Sequence, residues 1–267
     1  MKIIGLLAGV GRLPVDFARA ASGMGFTVIA IGVVPGVDAE LAQVASKYHS
    51  IGAGELGRIV SVLKQGGVHE GAMLGRVTKE LLFSGAVAFG VRMKRLFTGL
   101  KDHNDDTIML AFVKELAGEG IGVLDQTALI RSQMPGPGVL TERRPTDAER
   151  ADMEYGLEMA KKIGTLDIGQ TVVVKNRAVM AVEAIEGTDA CIRRGSALGR
   201  GGVTVAKTAK PSQDARFDVP AVGPDTIRAM IEGGAMALVI EAGRTLLVDR
   251  QTTLKLAEEN NITIVAM

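Results

Sequence analysis

The sequence has no tryptophan, and aromatic residues make up only 3% of its 267 residues. It therefore lacks the stacking platform that single-stranded nucleic acids usually need. Its one cysteine, Cys191, excludes an intrachain disulfide and suits a reducing compartment. No stretch reaches the roughly 18 apolar residues of a membrane-spanning helix. The opening Met1-Lys-Ile-Ile-Gly-Leu-Leu-Ala-Gly9 is too short and too broken by glycine for a signal peptide. Charge of one sign is also missing. Thirty-one cations face 30 anions, a net charge of +1, so any anion site must be local. His49 and His69 have no spaced His or Cys partner, which argues against zinc. Neither a Gly-x-Ser-x-Gly elbow nor a Walker lysine loop is present.

What is present is an ordinary globular composition, 47% hydrophobic and 23% charged. Apolar runs at 2–8 and 27–33 read as buried parallel strands. Shorter strands are expected near 48–51, 71–77 and 121–124, with helices over 15–23, 56–64 and 105–117. This alternation is the pattern of an open parallel α/β sheet. Leu81–Leu100, with Phe83, Val87, Phe89, Val91, Leu96 and Phe97, reads as a core-packing helix; a surface for acyl chains is its alternative. Met134-Pro-Gly-Pro-Gly138 and Thr141-Glu-Arg-Arg-Pro145 mark a linker. The expected organisation is a Rossmann-like nucleotide-binding domain over 1–134, a linker over 135–145, and a mixed α/β catalytic domain over 146–267. In that second part, Pro145-Thr-Asp-Ala-Glu149 signals a helix start. Strands are expected at 171–174, 178–183, 203–206, 237–240, 245–248 and 263–266. A turn over Gly187–Arg194 leads into a helix, and further helices begin at Thr226 and Thr252. The expected site lies in the cleft between the two domains, a common place for a ligand.

Three segments carry candidate chemistry. Gly9-Val-Gly-Arg12 follows a strand and opens a helix, so its backbone N–H groups can approach a phosphate. A dinucleotide fingerprint would want glycine where Pro14 stands and an acid at the end of the second strand, where none occurs before Asp38. A turn needed only for chain reversal is the plainer alternative. Glu186-Gly187-Thr188-Asp189 offers a hydroxyl and carboxylates at a helix start, where Thr188 or Asp189 also suits an N-cap. Arg193 and Arg194 follow; one is free to point back toward a ligand. The densest segment is Lys207 to Asp218, with Lys210, Gln213, Asp214 and Arg216 between. Its cations suit phosphate. Asp218, between Phe217 and Val219-Pro220, is costly to bury without a metal or cation partner. A structural ion pair with Arg216 or Arg193 is the alternative for Asp218. Asp225 reads as an N-cap. Asp102-His-Asn-Asp-Asp106 holds metal-type ligands, but its acids also favour a helix N-terminus. Cys191 reads as a small buried residue, not a nucleophile.

The run Ala181-Val-Glu-Ala-Ile-Glu-Gly-Thr-Asp-Ala190, then Arg193-Arg194, then Lys210-Pro-Ser-Gln-Asp-Ala-Arg-Phe-Asp218-Val-Pro resembles the signature of LpxI-type UDP-2,3-diacylglucosamine pyrophosphatases. Gly5-Leu-Leu-Ala-Gly-Val-Gly-Arg-Leu-Pro14 and Asp105-Asp106-Thr-Ile-Met-Leu110 are similar to that family too. The resemblance implies hydrolysis of UDP-2,3-diacylglucosamine to UMP and 2,3-diacylglucosamine 1-phosphate, a step of lipid A synthesis. It implies Mg²⁺, held by Asp218, which would be the catalytic carboxylate. The substrate would be bound by Gly9, Gly11, Arg12, Gly187, Thr188, Asp189, Arg193, Lys207, Lys210, Gln213 and Arg216. The partner implied is a UDP-linked diacylated glucosamine glycolipid, not nucleic acid. The expected location is the cytoplasm, with peripheral contact to the inner membrane and a homodimer both left open. The competing readings are an NAD(P)-dependent oxidoreductase and a non-catalytic nucleotide- or lipid-binding protein.

Overall fold

A computed structural model describes residues 2–77, 89–102, 104–211 and 213–267. The expectations for Leu81–Ala88, including Phe83 and Val87, and for His103 lie outside the described residues. The chain forms two compact units. The first holds residues 1–130 together with Ala215–Phe217, and the second holds 131–214 and 218–267.

The first unit is a parallel five-stranded sheet. Its strands are β1 (Lys2–Ala8), β2 (Phe26–Gly32), β3 (Lys47–Ser50), β4 (Glu70–Leu74) and β5 (Gly122–Val123), in the order β3-β2-β1-β4-β5. Helices α1 (Leu13–Gly23), α2 (Leu41–Val44), α3 (Leu56–Gln65), α4 (Val91–Thr98) and α5 (Asp105–Gly118) connect or follow them. The runs 3–8 and 28–33 are apolar throughout because both sheet faces are covered. Ile29, Ile31, Leu56, Ile59, Leu63, Val113 and Leu116 join one core under α3 and α5. Phe217 packs on that core, and the Ala215 carbonyl accepts the Gln126 N–H at 2.8 Å. The three-residue excursion 215–217 is therefore built into the first unit.

The second unit has a mixed six-stranded sheet in the order β6-β13-β11-β9-β7-β8. These strands are β6 (Gly138–Val139), β7 (Thr171–Lys175), β8 (Ala178–Val182), β9 (Thr204–Lys207), β11 (Ala237–Ile240) and β13 (Thr263–Ala266). A small parallel pair, β10 (Ala221–Val222) and β12 (Leu246–Leu247), lies apart from it. The helices are α6 (Asp147–Thr165), α7 (Thr188–Gly199), α8 (Pro224–Gly233) and α9 (Arg250–Glu259). Side-chain alternation divides the strands between two cores. Val205, Leu238 and Ile264 pack with Ile192 and Ile227 of α7 and α8. Their neighbours Ala206, Val239 and Val265 pack with Met153 and Leu157 of α6.

Local chemistry explains the joints. Thr146 and Glu149 form a capping box at the start of α6, as the sequence implied. Asn176 and Arg177 take φ of 52° and 55°, the two left-handed residues of a tight hairpin turn. Asp152 of α6, itself buried, accepts their N–H groups at 2.9 and 2.6 Å. Residues 135–145 are packed into the second unit. Strand β6 pairs antiparallel with β13. Arg143 holds Glu149 with two bonds, at 3.0 and 2.8 Å, and donates to the Asn261 and Met236 carbonyls.

Candidate active site

Strands β9 and β11 run parallel, and β7 runs against β9 with Thr171 opposite Lys207. Strand β8 returns along β7, so the Glu183 N–H reaches the Thr171 carbonyl at 2.9 Å. Lys207, Thr171 and Glu183 therefore meet at one end of the sheet, beside the carboxyl ends of its parallel strands. Ligands in open α/β sheets gather at such ends. Helix α7 begins there with Thr188.

The Lys207 side chain is buried, and its Nζ donates to Thr188 Oγ1 at 3.1 Å and to the Ala221 carbonyl at 3.0 Å. Burial lowers the lysine pKa; the carboxylates of Glu183, Asp189 and Asp218 work in the opposite direction. One cation thus faces three acids. Asp218 accepts the Gln213 amide at 3.0 Å, and the same amide nitrogen reaches Gln170 Oε1 at 3.0 Å. Gln213 Oε1 in turn accepts the Lys210 N–H at 2.8 Å, which folds the loop after β9 on itself. The Asp218 N–H closes a turn on the Asp214 carbonyl at 2.9 Å. Lys210 Nζ holds Asp167 at 2.9 Å.

The second unit thus gathers Thr188, Asp189, Lys207, Lys210, Gln213 and Asp218. Three residues absent from the sequence-based set belong with them: Glu183, Gln170 and Thr171. Glu183 had a sequence signal, since a charge that ends an apolar strand needs a partner if buried. Gln170 and Thr171 had none. Arg193 is directed elsewhere: its Nε holds Glu232 of α8 at 2.7 Å on the surface. Arg194 turns back instead, to the Val182 carbonyl and to Glu186. The Glu186 carboxyl is held below its usual range by Arg194.

Two capping expectations are corrected. Gly187, with φ of 80°, is the N-cap of α7, and no side chain caps that helix. The Thr188 hydroxyl, one position inside the helix, donates to Glu183 at 2.9 Å. Likewise Gly223 precedes α8 as its N-cap, and Asp225 pairs with Arg228 at 2.7 Å. Asp105 follows Asn104, whose side chain caps α5 by accepting the Thr107 N–H at 2.8 Å. Cys191 is fully buried, and burial pushes its thiol up to about 12. It is a small buried residue, as its sequence context implied.

Gly9, Gly11, Arg12 and Arg216 belong to the first unit. A Cβ on Gly9 would lie 2.5 Å from the Arg76 carbonyl oxygen, so glycine is required where β1 ends against the chain leaving β4. Gly11 has φ of 117°. Arg12 precedes α1 and is paired with Asp38 at 3.1 Å, with Glu40, and with Asp16 at 3.6 Å. Glu40 first, then Asp38, raise the guanidinium pKa further.

Fold and site together define a two-unit α/β protein with a buried lysine among carboxylates at the carboxyl end of the parallel strands of its second sheet. The chain belongs to the LpxI family: the LpxI N-terminal domain model matches residues 3–133 and the LpxI C-terminal domain model residues 136–265. It is 32% identical over 280 residues to the UDP-2,3-diacylglucosamine pyrophosphatase LpxI of Caulobacter vibrioides, covering 97% of this chain and 95% of that one. Among solved structures, the biotin carboxylase subunit of pyruvate carboxylase matches with a TM-score of 0.28 and 15% identity, over 68% of this chain and 36% of that one. The N5-carboxyaminoimidazole ribonucleotide synthetase of Thermotoga maritima matches with a TM-score of 0.26 and 20% identity, over 70% and 42%. This chain thus spans about 0.4 of the length of those structures or less.

Proposed function

We propose that this protein hydrolyses the pyrophosphate bond of UDP-2,3-diacylglucosamine to UMP and 2,3-diacylglucosamine 1-phosphate, in lipid A biosynthesis. The observation that carries the reading is end-to-end similarity to a relative named for that activity. The site supplies suitable chemistry. Lys207 places an ammonium within electrostatic reach of the half-buried Asp218, Lys210 would add a second cation from the same loop, and cations fixed before reaction stabilise charge developing on phosphate oxygens. Asp218 would position the attacking water. Gly9, Gly11 and Arg12 would take the nucleotide side, in a unit whose strand order β3-β2-β1-β4-β5 is that of nucleotide-binding βαβ domains.

Mg²⁺ prefers oxygen ligands and usually takes one or two carboxylates plus substrate phosphates. Asp218, with the amide oxygens of Gln170 and Gln213 nearby, fits that donor set. The metal would be held partly by the substrate's phosphates. Asp218 would hold it, and the ion would neutralise diphosphate charge. A glycolipid substrate also suits a protein that touches the inner membrane peripherally. The test is direct: purified protein, Mg²⁺ and UDP-2,3-diacylglucosamine should release UMP, and absence of UMP over hours would sink the reading. A dinucleotide-dependent oxidoreductase has no comparable support.

A further inference from the structure

Glu183 directly follows β8 with only 7% of its surface exposed. A carboxylate so buried must be bonded to be tolerated. Its Oε1 accepts the Thr188 hydroxyl at 2.9 Å, and its Oε2 accepts the Gln170 N–H at 3.3 Å. A hydroxyl has one proton to give and two lone pairs. With that proton committed to Glu183, Thr188 Oγ1 can only accept from its other neighbours. Lys207 Nζ takes one lone pair at 3.1 Å, and Thr171 Oγ1 lies at 3.4 Å. The Ala221 carbonyl takes a second ammonium proton. An ammonium has three, and among the described residues no hydrogen bond takes the third.

The seating of Glu183 is itself enforced. A Cβ on Gly169 would lie 2.1 Å from the Glu183 carbonyl oxygen, so only glycine lets the two segments approach. Thr188 stands at the first position of α7 yet caps nothing. Its hydroxyl serves the Glu183–Lys207 link.

We propose that Glu183 is a positioning residue, which orients the Thr188 hydroxyl and through it fixes the Lys207 ammonium so that its remaining N–H meets the substrate's diphosphate. The proposal rests on the pyrophosphatase reading above. Asp189 and Asp218 also face the ammonium electrostatically, but neither bonds the Thr188 hydroxyl. Removing Glu183 lets that hydroxyl turn its proton toward the lysine, and the ammonium must then give up its place.

The test uses Glu183→Gln and Thr188→Val, both close in shape to the native side chain, together with Thr188→Ser and the double variant Glu183→Gln/Thr188→Val. Three quantities are read on each: kcat and KM for UMP release, affinity for inorganic pyrophosphate by calorimetry, and melting temperature. The first two variants should each lose about a hundredfold in kcat, the scale of a misplaced catalytic contact, and should weaken pyrophosphate binding while still melting cooperatively. Thr188→Ser should recover both readouts, because it restores the hydroxyl. The double variant should be no worse than either single. Wild-type kcat and pyrophosphate affinity in Glu183→Gln or Thr188→Val, or losses that multiply in the double variant, would overturn the proposal. If Thr188→Val does not fold, Thr188→Ala carries the same comparison. A wild type that binds pyrophosphate but releases no UMP overturns the pyrophosphatase reading and leaves the positioning role to be judged by binding. A wild type that binds no pyrophosphate overturns the anchor itself.

Discussion

Asp218 and Lys207, to which the proposed function assigns the chemistry, differ in what holds them. Lys207 is buried and fixed by a hydroxyl and a carbonyl. Asp218 is half-buried, and Gln213 is its side-chain partner. Replacing Asp218 with Ala should therefore leave the melting temperature near wild type and lower UMP release about a hundredfold or more, the range for a lost electrostatic or acid–base group. Turnover within a few-fold of wild type would mark Asp218 as structural. Cys191 gives a second prediction at this scale. Burial moves its pKa from 9.0 to about 12, which leaves about a thousandfold less thiolate at neutral pH. The native protein should be inert to a thiol reagent that labels the unfolded chain at once. The sign of the pH effect follows. Between about 9 and 12 the unfolded thiol ionises while the folded one stays neutral, so stability is full below 9 and is lost as pH rises through that window. Cys191→Ala should flatten that alkaline decline in melting temperature; an unchanged slope would refute it.

Among the elements, α4 is short, and charge ties it in place. Its Arg92 pairs with Glu115 and Glu119 of the α5 region, and Lys64 of α3 reaches Glu119 at 2.8 Å. These partners, Lys64 first, hold the Glu119 carboxyl down at about 2 from a usual 4.5. A depressed carboxylate stabilises above its unfolded pKa and loses that contribution as pH falls through its folded one. The α3–α4–α5 tether should thus weaken between about pH 4.5 and 2. Glu119→Gln should remove this part of the acid slope of melting temperature, and a variant with the wild-type slope would show the tether to be idle. Helices and strands were legible in sequence where burial is two-sided or a cap is chemical, as at 2–8 or Thr146–Glu149. Less legible was Gly187–Asp189, where propensity suggested a capping hydroxyl but the N-cap falls one residue earlier, at Gly187, and the Thr188 hydroxyl donates to the buried Glu183 carboxylate.

At the scale of the molecule, metal dependence is the sharpest expectation. The oxygen donors around Asp218 suit Mg²⁺ better than Zn²⁺. Exhaustive chelation should abolish UMP release, and Mg²⁺ should restore it. Full activity after chelation, or restoration by Zn²⁺ alone, would contradict this. The amino-acid sequence by itself determined the alternation of strands and helices, since burial on one or two faces is written locally in the spacing of apolar side chains. Its motifs also pointed to the family. Tertiary structure decided which polar groups meet. Glu183 and Thr188 share one segment and Lys207 comes from another, and the antiparallel pairing of β7 with both β8 and β9 brings them to one sheet end. Tertiary structure likewise turned Arg193 outward to Glu232 and Arg194 back toward Glu186. The reason is physical: neighbours in sequence point in different directions on a helix, and the partner each finds depends on which element packs alongside.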